Sequence, residues 1–272
     1  MNKRRCITAF LLTGLLFSTS LLTQLGCGES HDSKPLVLAA TSDLEETGIL
    51  EAWIEDFRSQ SGIEVELLTA VDQEVLDMAQ HGECDVLITH LPQVEERLER
   101  SNYVEYRQEI MYDQYIIVGP SADPASIRGV ESFSDAFRAI AEAGAPFVLR
   151  VDESGTSYKE GLLWAASGIT DFGDWMVRSE AGMGDTLRQA SQQGAYTLSD
   201  QSVFKAISDE LNLEIFLEIG GEFDNPYQVM LVSELAYPDT DTEGGLRFIE
   251  YLLSEGARSF FDLGAWEAPS GQ

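Results

Sequence analysis

From residue 36 onward, short apolar runs alternate with helical stripes, and that alternation leaves few architectures open. Leu36 to Ala40 reads as a buried strand. Ile49, Leu50, Trp53, Ile54 and Phe57 recur at helical spacing, and Ser61-Gly62 closes the stripe. Ile63 to Leu68 reads as a second strand. Asp72 is placed to cap a helix that runs through His81 and stops at Gly82. Asp85 to Thr89 makes a third strand, and Pro92 opens the next helix. Repeated strand–helix alternation predicts an α/β fold, a parallel sheet covered by helices on both faces.

The second half continues the theme with shorter signals. Tyr115 to Gly119 reads as a strand ending at Pro120, with helices expected near Phe133 to Ala143, Tyr158 to Ala166 and Thr186 to Gln193. Ala195 to Leu198, Leu213 to Leu217 and Gln228 to Val232 read as strands, followed by helices over Gly245 to Leu253 and near Gly256 to Leu263. No low-complexity linker divides the chain, so one sheet and two lobes joined by crossing strands both fit the pattern. The crossings would fall near Tyr115–Pro120 and Gln228–Ser233. Residues 36–117 with 233–272 would then form lobe 1, and residues 118–232 lobe 2. Two such lobes would place the loops at the carboxyl ends of their strands face to face, where open α/β sheets bind ligands.

Lys3-Arg4-Arg5 followed by an interrupted apolar stretch from Ile7 to Leu22 has the charge and length of an export signal. It ends in Leu25-Gly26-Cys27, which resembles a bacterial lipoprotein processing site, with Gln24 where an aliphatic residue is usual. Residues 1–26 would be the signal, Cys27 the lipidated residue, and residues 27–35 a polar tether; the alternative is ordinary cleavage leaving a free thiol. Removing Cys6 and lipidating Cys27 would leave Cys84 alone, so no disulfide framework is expected. The three histidines and remaining cysteine lack zinc spacing, and no metal or cofactor is expected. The net charge of −30 argues against nucleic-acid partners, whose phosphates would be repelled. A local anion site is still compatible with that charge, because screening limits distant surface charges to about 8 Å at physiological salt.

One segment points to such a site. Arg150-Val151-Asp152-Glu153-Ser154-Gly155-Thr156 follows the apolar run Ala145 to Leu149 and precedes a helical pattern. Strand, small-residue turn and helix start together present unpaired N–H groups and a dipole that favours an anion. Arg150 adds a planar fork of donors. Arg150 has a plainer reading as an ion-pair partner of Asp152, and Ser154 and Thr156 as caps of the following helix. Thr41 and Ser42, at the end of the first strand, are further candidates to contact a ligand. Thr197 is another, beside Tyr196 and Asp200. Asp43 and Asp72 read first as caps or solvated acids, and His90 as a polar loop residue. No G-x-S-x-G elbow, P-loop, dinucleotide fingerprint or H-E-x-x-H is present, and Ser154 has no identifiable base, so catalysis is not expected.

Several blocks occur together in order: Gly82-Glu83-Cys84-Asp85-Val86-Leu87, Ile110-Met111-Tyr112-Asp113 through Val118-Gly119-Pro120, Ala145-Pro146-Phe147 leading to Arg150 and Ser154-Gly155-Thr156, Gly182-Met183-Gly184, Ala195-Tyr196-Thr197-Leu198 with Asp200, and Asn225-Pro226-Tyr227. In these the chain resembles the periplasmic tungstate-binding proteins of bacterial ABC importers, from about Leu36 to Phe261. The resemblance implies the type II periplasmic-binding-protein fold, two α/β lobes joined by two crossing strands with a ligand cleft between. It also implies a monomeric, extracytoplasmic, lipid-anchored receptor for tungstate or molybdate that serves an ABC permease and ATPase complex, with ligand contacts at Thr41, Ser42, Arg150, Ser154, Thr156 and Thr197. Two departures stand out. Where the family opens on a run of hydroxyls, this chain has Ala40-Thr41-Ser42-Asp43, or Ala39-Ala40-Thr41-Ser42 in the alternative alignment. Where it has Gly-Thr-Gly, this chain has Val71-Asp72-Gln73. A carboxylate in place of a hydroxyl would repel an oxyanion.

Overall fold

The computed structural model describes residues 34–218 and 224–269; the expected export signal and Cys27 lie outside them. The chain runs β1 (Leu36–Thr41), α1 (Ser42–Glu45), α2 (Ile49–Ser61), β2 (Val65–Ala70), α3 (Asp72–His81), β3 (Val86–Thr89), α4 (Pro92–Arg100) and the long β4 (Val104–Gly119). It continues with α5 (Phe133–Ala143), β5 (Phe147–Arg150), α6 (Gly155–Ser167), β6 (Met176–Ser179), α7 (Met183–Gln193), β7 (Thr197–Asp200) and α8 (Gln201–Ile207). Last come β8 (Glu214–Glu218), β9 (Asp224–Val232), α9 (Thr242–Leu252) and α10 (Glu255–Arg258).

In the first lobe β1 lies between β2 and β3, parallel to both, and β9 runs antiparallel to β3. Side chains alternate across a strand, so this sheet has two apolar faces. Leu36, Leu38, Val86, Ile88, Val229 and Leu231 pack with Trp53 and Phe57 of α2 and Phe248 of α9. Val37, Ala39, Leu87 and Met230 point the other way, onto Val75 and Leu76 of α3 and Leu98 of α4.

The second lobe repeats the arrangement. Tyr115 and Ile117 pack with Phe147, Leu198, Phe133 and Phe137 of α5 and Trp164 of α6, whereas Ile116, Val118 and Val148 meet Met183 and Leu187 of α7 and Val203 of α8. β4 is the connection: its first part pairs with β9 from Val104 to Gln114, and its end pairs with β7 and β8. β5 and β6 pair in parallel and join the lobe through a bridge between Phe147 and Tyr196.

The strands change lobes earlier than the expected boundaries. Residues 115–118 already belong to the cores of the second lobe, and residues 227–232 to those of the first, so the crossings lie near Asp113–Tyr115 and Asp224–Pro226. The expected start of β4 at Tyr115 is corrected to Val104. Glu105, Tyr106, Arg107, Gln108 and Glu109 hid its first half by polarity, and the register shifts twice along it. The strand expected over Ala195 to Leu198 is displaced to Thr197–Asp200, and the helix near Gly256 to Leu263 is two short turns.

Candidate functional site

The carboxyl ends of β1, β3, β5 and β7 meet at the crossing strands. There the fold gathers a set of polar side chains that are almost wholly buried: Thr41, Asp43, Asp72, His90, Arg150, Ser154, Thr156, Asp200 and Asn225. Burial of this much polarity requires that the groups satisfy one another.

Arg150 ends β5, and each nitrogen of its guanidinium donates to a carboxylate. Nη1 and Nη2 donate to Asp43 at 3.0 and 2.9 Å, and Nε donates to Asp152 at 2.7 Å. These acids hold the guanidinium pKa above its ordinary value despite burial. Behind it, the Arg150 N–H donates to Glu160 Oε2 at 2.9 Å. Burial pushes the Glu160 carboxyl well up, against the lowering pull of the Arg150 N–H and guanidinium.

Asp72 is the first residue of α3, not its cap, and its side chain reaches away from its own helix. Oδ1 accepts from His90 N at 2.9 Å. Oδ2 accepts from Gly155 N at 2.9 Å and Thr41 Oγ1 at 3.3 Å, with His90 Nε2 at 3.0 Å. Gly155 opens α6, so the carboxylate sits at a helix N-terminus, where charge and free N–H groups favour an anion. A methyl group on Gly155 would lie 2.5 Å from the His90 carbonyl, which is why the close approach needs glycine. Burial opposes the charged form of Asp72, but the charge of His90, its contact and the backbone donors outweigh it and lower the pKa.

His90 carries a second positive charge. Asn225 Nδ2 donates to Asp200 Oδ1 at 2.6 Å, which turns Asn225 Oδ1 toward Tyr115 Oη and His90 Nδ1, each at 2.8 Å. Nδ1 is therefore a donor. Nε2 faces Asp72 Oδ2 at 3.0 Å and Asp43 Oδ2 at 3.7 Å, so it too must carry hydrogen. Although burial works against it, Asp72, then Asp200 and Asp43, raise the imidazole pKa to about 10. The ring stacks on Tyr227 at 4.5 Å. The Nε2 ion pair lies outside hydrogen-bond geometry, leaving a buried donor with no acceptor in line.

The other expected contacts divide. Ser154 caps α6 by accepting from Ser157 N at 3.1 Å and donates to Asp152 at 2.7 Å; Thr156 donates to Asp200 at 2.7 Å. Ser42 opens α1 and is half-buried beside Asp43. Thr197 sits at the β5–β7 seam, with its hydroxyl on the Val148 carbonyl at 2.8 Å. Its neighbour Tyr196 packs into the second lobe's core. His90 belongs to the centre of the site rather than to a polar loop. Its position immediately after a buried strand was the available signal, but one histidine in a loop carries no period. Asp43 and Asp72 are neither caps nor solvated acids.

Residues 28–256 match the family model described as the PBP superfamily domain. The chain belongs to the PBP superfamily. It is 38% identical over 236 residues to the "Putative ABC transporter anion-binding protein" of Haloferax volcanii, covering 84% of this chain and 69% of that protein. It is 31% identical over 258 residues to the tungstate-binding protein TupA of Peptoclostridium acidaminophilum, covering 93% and 90%. Among solved structures, that of the tungstate ABC transporter from Geobacter sulfurreducens superposes with a TM-score of 0.77 at 28% identity, over 84% of this chain and 98% of that one. The two-lobed fold of this superfamily member places its buried polar cluster at the junction of the lobes. Among the described residues no group of His, Cys, Asp and Glu is arranged to hold a metal ion, and no helix is long and apolar enough to cross a membrane.

Proposed function

We propose that this protein is an extracytoplasmic receptor that captures a small oxyanion, tungstate or molybdate, in the cleft between its lobes and delivers it to an ABC importer. The observation that carries this reading is the convergence of donors on Asp72 Oδ2. Gly155 N and Thr41 Oγ1 donate to one oxygen of a carboxylate within 3.3 Å, the charged His90 Nε2 stands 3.0 Å from the same oxygen but out of line, and the Arg150 guanidinium is bound to the neighbouring Asp43. A carboxylate is itself an oxyanion, so these groups form a set of anion donors on both lobes. The similarity to TupA and to an anion-binding relative supports the same ligand class. The site binds by preorganised hydrogen bonds and charge, and needs no chemical step.

The receptor is tethered through lipid on Cys27 and acts as a monomer in this reading, with the permease and ATPase as its partners. Sodium tungstate, molybdate, sulfate and phosphate, added singly in a thermal-unfolding assay, test the proposal. A ligand that binds only the folded form stabilises it by about 2.7 kcal/mol at a hundredfold excess over Kd. Stabilisation by tungstate and molybdate, lost in Arg150→Ala, is expected. Stabilisation only by another anion would favour a second reading, the same fold retuned to another small anion, to which the carboxylates Asp43 and Asp72 lend support. A response to none of the four would reject oxyanion capture.

A further inference from the structure

Three acids of the first lobe reach donors of the second. Asp43 takes both terminal nitrogens of Arg150, Asp72 takes the N–H of Gly155 at the start of α6, and Glu46 Oε1 takes the N–H of Gly184 in the first turn of α7 at 3.2 Å. The fit is close at each helix start: a methyl group on Gly184 would overlap the Glu46 carboxylate. Protein carboxylates make these bridging contacts. We infer that Asp43 and Asp72 are the cleft's own counter-anion, joining the lobes through the donors an oxyanion would use and setting the affinity for that oxyanion by competing with it. The inference rests on the oxyanion-receptor reading.

Charge and donor count make the competition unavoidable. The cationic groups of the cluster are Arg150 and His90, and three carboxylates, Asp43, Asp72 and Asp152, already lie against them. A dianion added to this set would bring five negative charges against two positive ones in a buried site, where desolvation is severe. Arg150 has no nitrogen left over: Nε faces Asp152, and Nη1 and Nη2 face Asp43. A tetrahedral oxyanion that takes the fork of Arg150 and the Gly155 N–H therefore competes with Asp43 and Asp72 for the hydrogen bonds they hold. His90 Nε2 is a separate sign that the cluster is built for a further oxygen. It belongs to a fully buried side chain and has no acceptor in line, although two carboxylates stand at ion-pair distance. An oxyanion between the lobes would give it one.

Neutral isosteres test this directly. Asp43→Asn and Asp72→Asn are prepared singly, with Glu46→Ala as a variant that loosens the lobes without touching Arg150, and Arg150→Ala as the site control. Tungstate affinity is measured by calorimetry, and compactness by small-angle scattering with and without tungstate. Removing a carboxylate competitor is expected to tighten tungstate binding about ten- to hundredfold, the worth of one charge-assisted hydrogen bond. All three acid variants should expand relative to wild type without tungstate and return to its dimensions with it. Unchanged or weaker binding in both Asn variants, with cooperative unfolding retained and binding abolished in Arg150→Ala, would overturn the inference and leave the receptor reading intact. Unchanged compactness in Glu46→Ala would overturn the bridging role. No binding of tungstate, molybdate, sulfate or phosphate by any of the proteins would reject the receptor reading and the inference with it.

Discussion

Replacing His90 with Gln should remove a buried cation and flatten the dependence of stability on alkaline pH. Nδ1 donates to Asn225, Nε2 faces Asp72 and Asp43, and Asp200 adds to the field. Asp113 also feels the imidazolium, and the nearby Tyr115 and Tyr227 phenols are raised well above their ordinary value by burial and nearby acids and stay neutral. The imidazole is raised from 6.5 to about 10, and one pKa unit is worth about 1.4 kcal/mol, so protonation contributes about 3–5 kcal/mol to folding. The folded-state value lies above the unfolded one. The contribution is therefore complete below pH 6.5 and is lost as pH rises through about 10.

Across pH 7 to 9 the wild-type unfolding free energy should consequently fall by about 1.4 kcal/mol per pH unit from this residue alone. Repulsion among the surface acids is common to wild type and variant and cancels in their difference. Denaturant melts of both proteins at pH 6, 7, 8 and 9 measure that difference, and the imidazole resonances report the protonation state directly. The cost of His90→Gln should be largest at pH 6 and shrink with rising pH. A cost independent of pH, or a His90 ring that deprotonates near pH 6.5 in the folded protein, would refute the imidazolium assignment.

Arg150→Ala should abolish tungstate binding and Arg150→Lys should weaken it, since Lys keeps the charge but loses the planar fork; calorimetry separates the two. Ser154→Ala and Thr156→Ala should cost less than Arg150→Ala, because each removes one neutral donor, and the same titrations rank them. Gly155→Ala places a methyl 2.5 Å from the His90 carbonyl and should destabilise by about 1–3 kcal/mol in denaturant melts through overpacking. Radiolabelled fatty acid should attach to the wild type and not to Cys27→Ala.

The alternating architecture was legible because each lobe builds its core with strict periods. Leu36, Leu38 and Ala40 face one helix layer while Val37 and Ala39 face the other, and Trp53 and Phe57 recur at one helical turn. Arg150 and the Ser154-Gly155-Thr156 turn were legible because a helix start after a strand has its own chemistry. The first half of β4 was not, since its alternation is carried by Glu105, Arg107 and Glu109 and interrupted by shifts in register. The roles of Asp43, Asp72 and His90 were not legible either. Locally, each acid fits a helix start, and only the long-range contacts, 107 residues from Asp43 to Arg150 and 83 from Asp72 to Gly155, reveal the pairing.

Those contacts also reconcile a strongly acidic chain with an anion site. Screening isolates the cleft from most of the surface charge, so the deciding acids are the few inside it. Asp200 and Asp113 are pushed up to about 7 and about 6, by burial first and then, for Asp200, by Asp43 and Asp113. Their folded-state values exceed the unfolded ones, so these acids stabilise the fold when protonated and lose that contribution as pH rises from about 4 through those values. An oxyanion that takes the donors of Asp43 and Asp72 adds its two charges while leaving both carboxylates, now without those donors, in the cleft, so it would raise both values further and draw protons into the site. Capture of tungstate should therefore be accompanied by net proton uptake near neutral pH and should weaken as pH rises. Calorimetry in two buffers of different ionisation enthalpy measures that uptake. The same heat in both buffers, together with an affinity constant from pH 6 to 8, would show that the buried acids keep their protonation when the anion enters.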